Sequence, residues 1–279
     1  MLILIIMEDS AKKILFVNSE MVPYLPESSI ARIGRDLPQG IQERKKEIRA
    51  FMPRYGCINE RKNQLHEVIR LSGINIIIGD VDRPLVIKVA SITSARIQVY
   101  FIDNEDYFRR KQICRDDEGR FFPDNGERAI FFARGVLETV KKLRWAPDII
   151  HCQGWITQVL PLYLKKAYKD DPIFAHTKVV LSLMDDMPAE QFGPAFKDMV
   201  LMGGIKPREV ALTEKADGME LAKLAAGHAD GIIFAAKDLP EELKGFCEGL
   251  PAPVLPYDEA SYADGSYMDQ YNRFYDSLL

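Results

Sequence analysis

The chain has 279 residues, 47% of them hydrophobic and 28% charged, with 37 basic against 41 acidic side chains and a net charge of −4. That is the composition of a globular protein with a sizeable core, in one large domain or two ordinary ones. It gives no general attraction to nucleic acid or to an anionic membrane surface. Cys57, Cys114, Cys152 and Cys247 lack metal-ligand spacing; they read as reduced thiols of a cytoplasmic protein, although spacing leaves pairing open.

Residues 1–7 (MLILIIM) are apolar but too few to span a bilayer, and no basic region precedes them as in a signal peptide. A frayed start is expected, with Met7 as an alternative initiator. Residues 13–18 (KILFVN) predict a buried strand. Ser28 or Ser29 is placed to cap a helix running to about Glu43 and kinked at Pro38. Residues 48–52 predict the next strand. Runs at 65–70, 74–78, 85–90 and 97–102, divided by Gly, Asp and Pro, predict a β-rich antiparallel insertion. A helix over 127–144 follows, with Ile130, Phe131, Ala133, Val136, Leu137 and Val140 along one side. Residues 149–150, 179–183 and 231–234 predict further buried strands, with helices at 155–168 and 220–228 between them. Residues 206–218 are polar and read as a loop. Residues 249–257 (GLPAPVLPY) read as a proline-rich strap, and 267–279 as a helix with Tyr271, Phe274, Tyr275 and Leu278 on one face.

Strands alternating with helices predict an α/β fold: a single Rossmann-like, mostly parallel sheet covered by helices on both faces. The expected organisation is a frayed 1–11, a domain over 12–248, and a strap and C-terminal helix over 249–279 packed back onto it. No nucleotide-binding glycine fingerprint, P-loop, calcium loop or nucleophile–histidine grouping with supporting spacing is present.

The stretch 122–155 (FPDNGERAIFFARGVLETVKKLRWAPDIIHCQGW) is the most informative. It resembles the bacterial glycogen and starch synthases, which read "DN-x-x-RF-x-x-F-x-x-A-x-LE" and then "W-x-PDI-I-H-C-H-D-W-x-T". Asp124, Asn125, Arg128, Phe131, Phe132, Leu137, Glu138, Trp145, Pro147, Asp148, His151, Cys152, Trp155 and Thr157 stand in those places. The resemblance extends to 14–24 (ILFVNSEMVPY), 52–56 (MPRYG), 100–103 (YFID) and 107–108 (YF), covers about 12–246, and weakens after Asp185. It implies one half of a two-domain glycosyltransferase fold. Its family activity is retaining transfer of glucose from a nucleotide-glucose donor to an α-1,4-glucan, without a metal or other cofactor. The resembling enzymes have a second Rossmann-like domain that carries most nucleotide contacts. The helix at 267–279 resembles their terminal helix, so deletion of that domain with retention of the strap is the expected history.

The departures from the pattern cluster in the first loop and at two strand ends. Where the family has "PF-x-K-x-G-G-L-x-D-V", whose lysine and glycines serve the donor phosphates, this chain has Pro26, Ser28, Ser29 and Arg32, with Glu27 adding the wrong charge. Arg32 or Arg35 is an alternative phosphate ligand. Gln153 and Gly154 replace a sugar-contacting histidine and an aspartate. Met184 and Asp185 replace the histidine and asparagine of "V-x-T-I-H-N", and Met184 is expected to fill core space.

Tyr24, Arg54, Tyr55, Asp124, Asn125, His151, Gln153 and Trp155 are the candidate ligand-binding residues, with no catalytic residue and no metal ligand assigned. Each has a structural alternative. Asp124 or Asn125 fits a helix cap as well as a sugar hydroxyl, Arg54 fits a loop ion pair, and His151 a satisfied core histidine. Tyr24, Phe121, Phe122 and Trp155 are expected to offer ring faces to glucose or to serve as packing. The reading is a protein of α-glucan metabolism without autonomous transferase activity, binding α-glucan or a protein partner and nucleotide-sugar at most weakly, with no nucleic acid or membrane partner. Its alternatives are an active glucosyltransferase needing a second domain in trans, and an unrelated small-molecule-binding Rossmann-like domain.

Overall fold

The computed structural model describes residues 11–279; the apolar run 1–7 lies outside the described residues. The elements in chain order begin β1 (Lys13–Asn18), α1 (Ser29–Glu43), β2 (Glu47–Pro53), β3 (His66–Glu67), β4 (Ile74–Ile78), β5 (Val81–Ile92), β6 (Ile97–Asp103), α2 (Glu105–Phe108) and α3 (Asn125–Leu143). They continue β7 (Ile149–Gln153), α4 (Leu160–Lys166), β8 (Lys178–Leu183), α5 (Phe196–Met199), α6 (Gly218–Ala226), β9 (Gly231–Phe234), α7 (Glu241–Glu248), β10 (Val254–Leu255), α8 (Glu259–Asp264) and α9 (Tyr267–Leu278).

The strands form one 10-stranded sheet in the order β10-β9-β8-β7-β1-β2-β6-β5-β3, with β4 also paired to β5. The pairs from β10 through β6 are parallel, whereas β3, β4 and β6 meet β5 antiparallel. The α/β expectation is therefore met. The fully buried runs Ile149–Gln153 and Gly231–Phe234 are those of strands covered on both faces. The chain leaves β1 for β2 on one side and returns through α3 to β7 on the other. The strand order thus reverses between β1 and β7, the place where open α/β sheets bind ligands beyond their carboxyl ends.

Several boundaries differ from the sequence reading. Residues 65–70 yield only β3, because Leu71 and Ser72 donate back to Val68 O and turn the chain. The run at 97–102 pairs parallel with β2 as well as antiparallel with β5, so it belongs to the main sheet. The helix expected over 155–168 divides into a 3-10 turn, Trp155–Thr157, and α4, with Pro161 in the first turn of α4 where its missing N–H costs nothing. The strap contributes β10, an added edge strand on β9.

Helix α1 starts as its sequence dictates, with the Ser28 hydroxyl accepting from Ala31 N at 3.0 Å. Helix α3 buries Ile130, Phe131, Ala133, Val136, Leu137 and Val140. Helix α9 lies against α1 and the sheet: Tyr267, Tyr271 and Tyr275 are buried, and Met268 sits on Gly40, where an added Cβ would be 2.2 Å from its sulfur. Among the described residues no helix is long and apolar enough to cross a membrane.

Candidate functional site

The registers of β1, β7 and β8 place Asn18, Gln153 and Ser182 side by side, so the turns that follow them form one rim. The first loop is pinned to this rim. Val22 N donates to Ala31 O at 3.0 Å, and the Ser28 hydroxyl donates to Glu20 at 3.0 Å. Burial raises the Glu20 carboxyl above its ordinary range, while the Ser28 hydrogen bond opposes that shift. Glu27 pairs with Arg32 in solvent, and Arg35 pairs with Asp36 at 2.5 Å. The two arginines proposed as phosphate ligands thus each carry a carboxylate neighbour already.

The positions that depart from the family pattern close this rim. Gln153 is 1% exposed and donates from Nε2 to Ile30 O at 2.9 Å, fixing the start of α1 to the end of β7. Met184 packs with Ile30 and Ala235 in a small apolar cluster against which Ile33 also rests. An imidazole at 184 would enter this cluster with no polar partner on view.

His151 lies one level deeper. Its Nε2 shares a 2.6 Å hydrogen bond with Ser182 Oγ, and its Nδ1 shares a 2.8 Å bond with Tyr275 OH on α9. Phe16, Tyr271 and Tyr275 set their rings against it. Complete burial pushes its pKa down to about 3, so the imidazole is neutral and supplies one donor and one acceptor. Its partners come from β8 and α9, not from a ligand-facing surface.

The retained "DN-x-x-R" motif builds a second buried network. Asn125 Nδ2 donates to Cys114 O at 2.8 Å, and Asn125 Oδ1 accepts from Arg128 at 2.6 Å. Neither Asp124 nor Asn125 caps α3 with its side chain: Asp124 at the N-cap pairs with Arg110, and Asn125 points inward. Arg128 is fully buried, facing the rings of Tyr55, Phe108 and Phe122 at 5.8, 5.2 and 5.4 Å. Its Nε and second terminal nitrogen have no hydrogen-bond partner among the described residues. Burial lowers its pKa, and those rings offset part of the desolvation.

The other candidates separate. Arg54 binds Asp103 at 3.0 Å and Glu60 at 3.2 Å, a set that Lys88 completes at 3.1 and 2.6 Å. Tyr55 is buried edge-on to Phe108. Tyr24 is edge-on to Phe101 at 4.9 Å; its hydroxyl lacks a partner among the described residues, and burial pushes its pKa up to about 12. Of the four aromatics proposed for sugar stacking, Phe121 and Trp155 come together, at 5.9 Å, with Phe192 against both. Phe122 lies apart, beneath Arg110. Phe121 is half-buried and Trp155 only 6% exposed.

Asp186 was not among the sequence candidates. It follows β8, its Oδ2 accepts from Trp155 N at 2.8 Å, and its Oδ1 has no partner among the described residues. Burial pushes its pKa up to about 6, with the Trp155 hydrogen bond opposing and nearby Glu20 adding to the shift. The signal available in sequence was an acidic pair directly after a buried strand; the backbone N–H that Asp186 accepts from lies 31 residues away. Among the described residues no group of three or more His, Cys, Asp or Glu is placed to hold a metal ion.

Comparisons with known proteins agree on ancestry. Residues 13–248 match the model of the starch synthase catalytic domain. The glycogen synthase of Chlorobium luteolum is 41% identical over 238 residues, covering 83% of this chain and 47% of the relative. The glycogen synthase of Chlorobium limicola is 36% identical over 236 residues (84% and 47%), and that of Chlorobaculum parvum 38% over 245 (86% and 50%). The chain thus spans about half the length of these relatives. The catalytic domain of starch synthase IV from Arabidopsis thaliana, bound to ADP and acarbose, superposes with a TM-score of 0.65 over 80% of this chain and 45% of that one. At 15% identity that likeness shows the fold alone. The reading as an unrelated small-molecule-binding domain is set aside.

Proposed function

This chain belongs to the family of starch synthase catalytic domains, and from that footing we propose that it serves α-glucan metabolism without elongating glucan alone, as a module that binds glucan or a protein partner. The observation that carries the reading is the closed rim. Gln153 is engaged with Ile30 O, and Met184 with Ile30 and Ala235, at two places where the family pattern has histidines. The first loop offers no lysine, and both nearby arginines are paired. Losing one preorganised charge-stabilising donor costs about 10²–10³ in rate, so several losses leave little. Nucleotide-sugar binds weakly at most on this reading.

For the glucan, the half-buried Phe121 beside Trp155 is the stacking candidate. Retention on a glycogen column, reduced several-fold by Phe121→Ala with the melting curve unchanged, supports a glucan module. Passage through the column together with a stable dimer or a co-purifying subunit points to a protein partner. A monomer that ignores glycogen and carries no partner removes the proposal.

The second reading is an active glucosyltransferase that needs a second domain in trans. Glucose transfer that appears only when the carboxyl-terminal half of a relative is added would select this reading.

A further inference from the structure

Gly154 occupies the place where the family motif has an aspartate, and its backbone adopts φ 90° and ψ 154°, a region open essentially to glycine. A Cβ built there would stand 2.1 Å from Ser19 Oγ and 3.0 Å from Asp186 Oδ2. Ser19 is 3% exposed, and its hydroxyl has no partner among the described residues. Residue 154 thus cannot carry any side chain on this backbone, and the volume it would use belongs to Ser19 and Asp186.

From that volume Asp186 reaches the backbone N–H of Trp155, at the start of the 3-10 turn Trp155–Thr157. The turn is closed further on by Thr157, whose N and hydroxyl donate to Gly154 O. Its first N–H has no such internal acceptor, as at any helical start. The Trp155 ring in turn carries Phe121 and Phe192.

We infer that Asp186 is a positioning residue for Trp155: its carboxylate, supplied from the end of β8, fixes the turn that a side chain at 154 cannot reach. The departure at 154 thus coincides with a carboxylate supplied from the neighbouring strand end. Restoring aspartate at 154 alone drives its Cβ into Ser19 on a backbone that favours glycine. The carboxylate works in acidic company, with Glu20 from the end of β1 and Asp185 from its own loop beside it, and Tyr55 from the end of β2 the other titratable group that senses it. Desolvation raises the Asp186 pKa to about 6, so the hydrogen bond to Trp155 titrates above the ordinary carboxylate range. The inference is independent of glucan binding, since its measurements involve no glucan.

The test is amide NMR on the whole chain. In Asp186→Ala the Trp155 amide should exchange about tenfold faster, the equivalent of one lost charge-assisted hydrogen bond. In Asp186→Asn, whose side-chain oxygen still accepts, exchange should stay within about threefold of the parent. The Trp155 amide shift should move through a midpoint near pH 6 in the parent and stay flat in Asp186→Asn. That second arm decides the matter if Asp186→Ala fails to fold. Gly154→Asp should destabilise the parent, and Asp186→Ala should not relieve it, because the nearest clash is with Ser19 on a glycine-only backbone. Unchanged Trp155 exchange in Asp186→Ala, or the same shift titration in Asp186→Asn, would each overturn the inference.

Discussion

Two buried regions near the carboxyl end of the sheet differ in the chemistry that fills them. Around Asn125, Arg128 and Tyr55 the family residues are kept, and they form a polar network locked among aromatic rings. Around Gln153, Gly154 and Met184 the family residues are replaced, and the result is an apolar plug with one buried amide bond to α1. Both regions hold polar atoms without partners among the described residues, Arg128 nitrogens in the first and Ser19 Oγ and Asp186 Oδ1 beside the second; only the second is closed by an apolar cluster. Retention of a motif therefore tracks here with folding chemistry at least as well as with ligand chemistry.

The largest expected effect comes from the helix that covers His151. Tyr275→Ala removes a fully buried ring and the hydroxyl on His151, and should cost about 3–5 kcal/mol. Tyr275→Phe should cost only about 1–2 kcal/mol, the penalty of one unpaired imidazole nitrogen. Chemical denaturation of the two variants measures the difference. Equal, negligible losses would mean that α9 is not part of the folded unit.

The comparison sharpens if the two regions are perturbed in parallel. Arg128→Leu removes a buried charge with two unpaired nitrogens and keeps the apolar contact; it should be tolerated to within about 2 kcal/mol, because unpaired buried donors contribute no stability. Met184→His inserts a polar ring into the plug and should cost about 2 kcal/mol without creating transferase activity. A stable Met184→His protein that gains turnover would show that the rim is an interrupted active site.

Acid should act on His151 and Asp186 with opposite sign. His151 has a folded pKa of about 3, below its ordinary value, so the unfolded chain binds its proton first and stability falls as pH drops from about 6.5 toward 3. Asp186 has a folded pKa of about 6, above its ordinary value, so the folded chain binds its proton first and stability rises as pH drops from 6 toward 4. Between pH 6 and 4 the two oppose each other. Asp186→Asn removes one side, and should steepen the acid loss in that window by up to about 1.4 kcal/mol per pH unit. Melts at stepped pH measure the slope; equal slopes in both proteins would mean that folded Asp186 does not take up its proton in that window.

The strands at 13–18, 149–150, 179–183 and 231–234 and the helix α3 were legible because continuous apolar runs and 3.6-residue spacing are local signals. The parallel pairing of β6 with β2 and the edge strand inside the proline-rich strap were not, because both are set by partners distant in sequence. The site divides likewise. The Ser28 cap and the core role of Met184 follow from residue type and position. The inward turn of Asn125 and the linkage of Asp186 to Trp155 depend on chain brought in from elsewhere, and no spacing rule reports them.

The most direct measurement of the central claim is incorporation of labelled glucose from ADP-glucose or UDP-glucose into glycogen by the purified chain alone. The expected result is incorporation at the level of a no-enzyme control, since the rim offers neither the first-loop lysine nor the strand-end histidines of the family pattern. Incorporation that scales with protein concentration would contradict it.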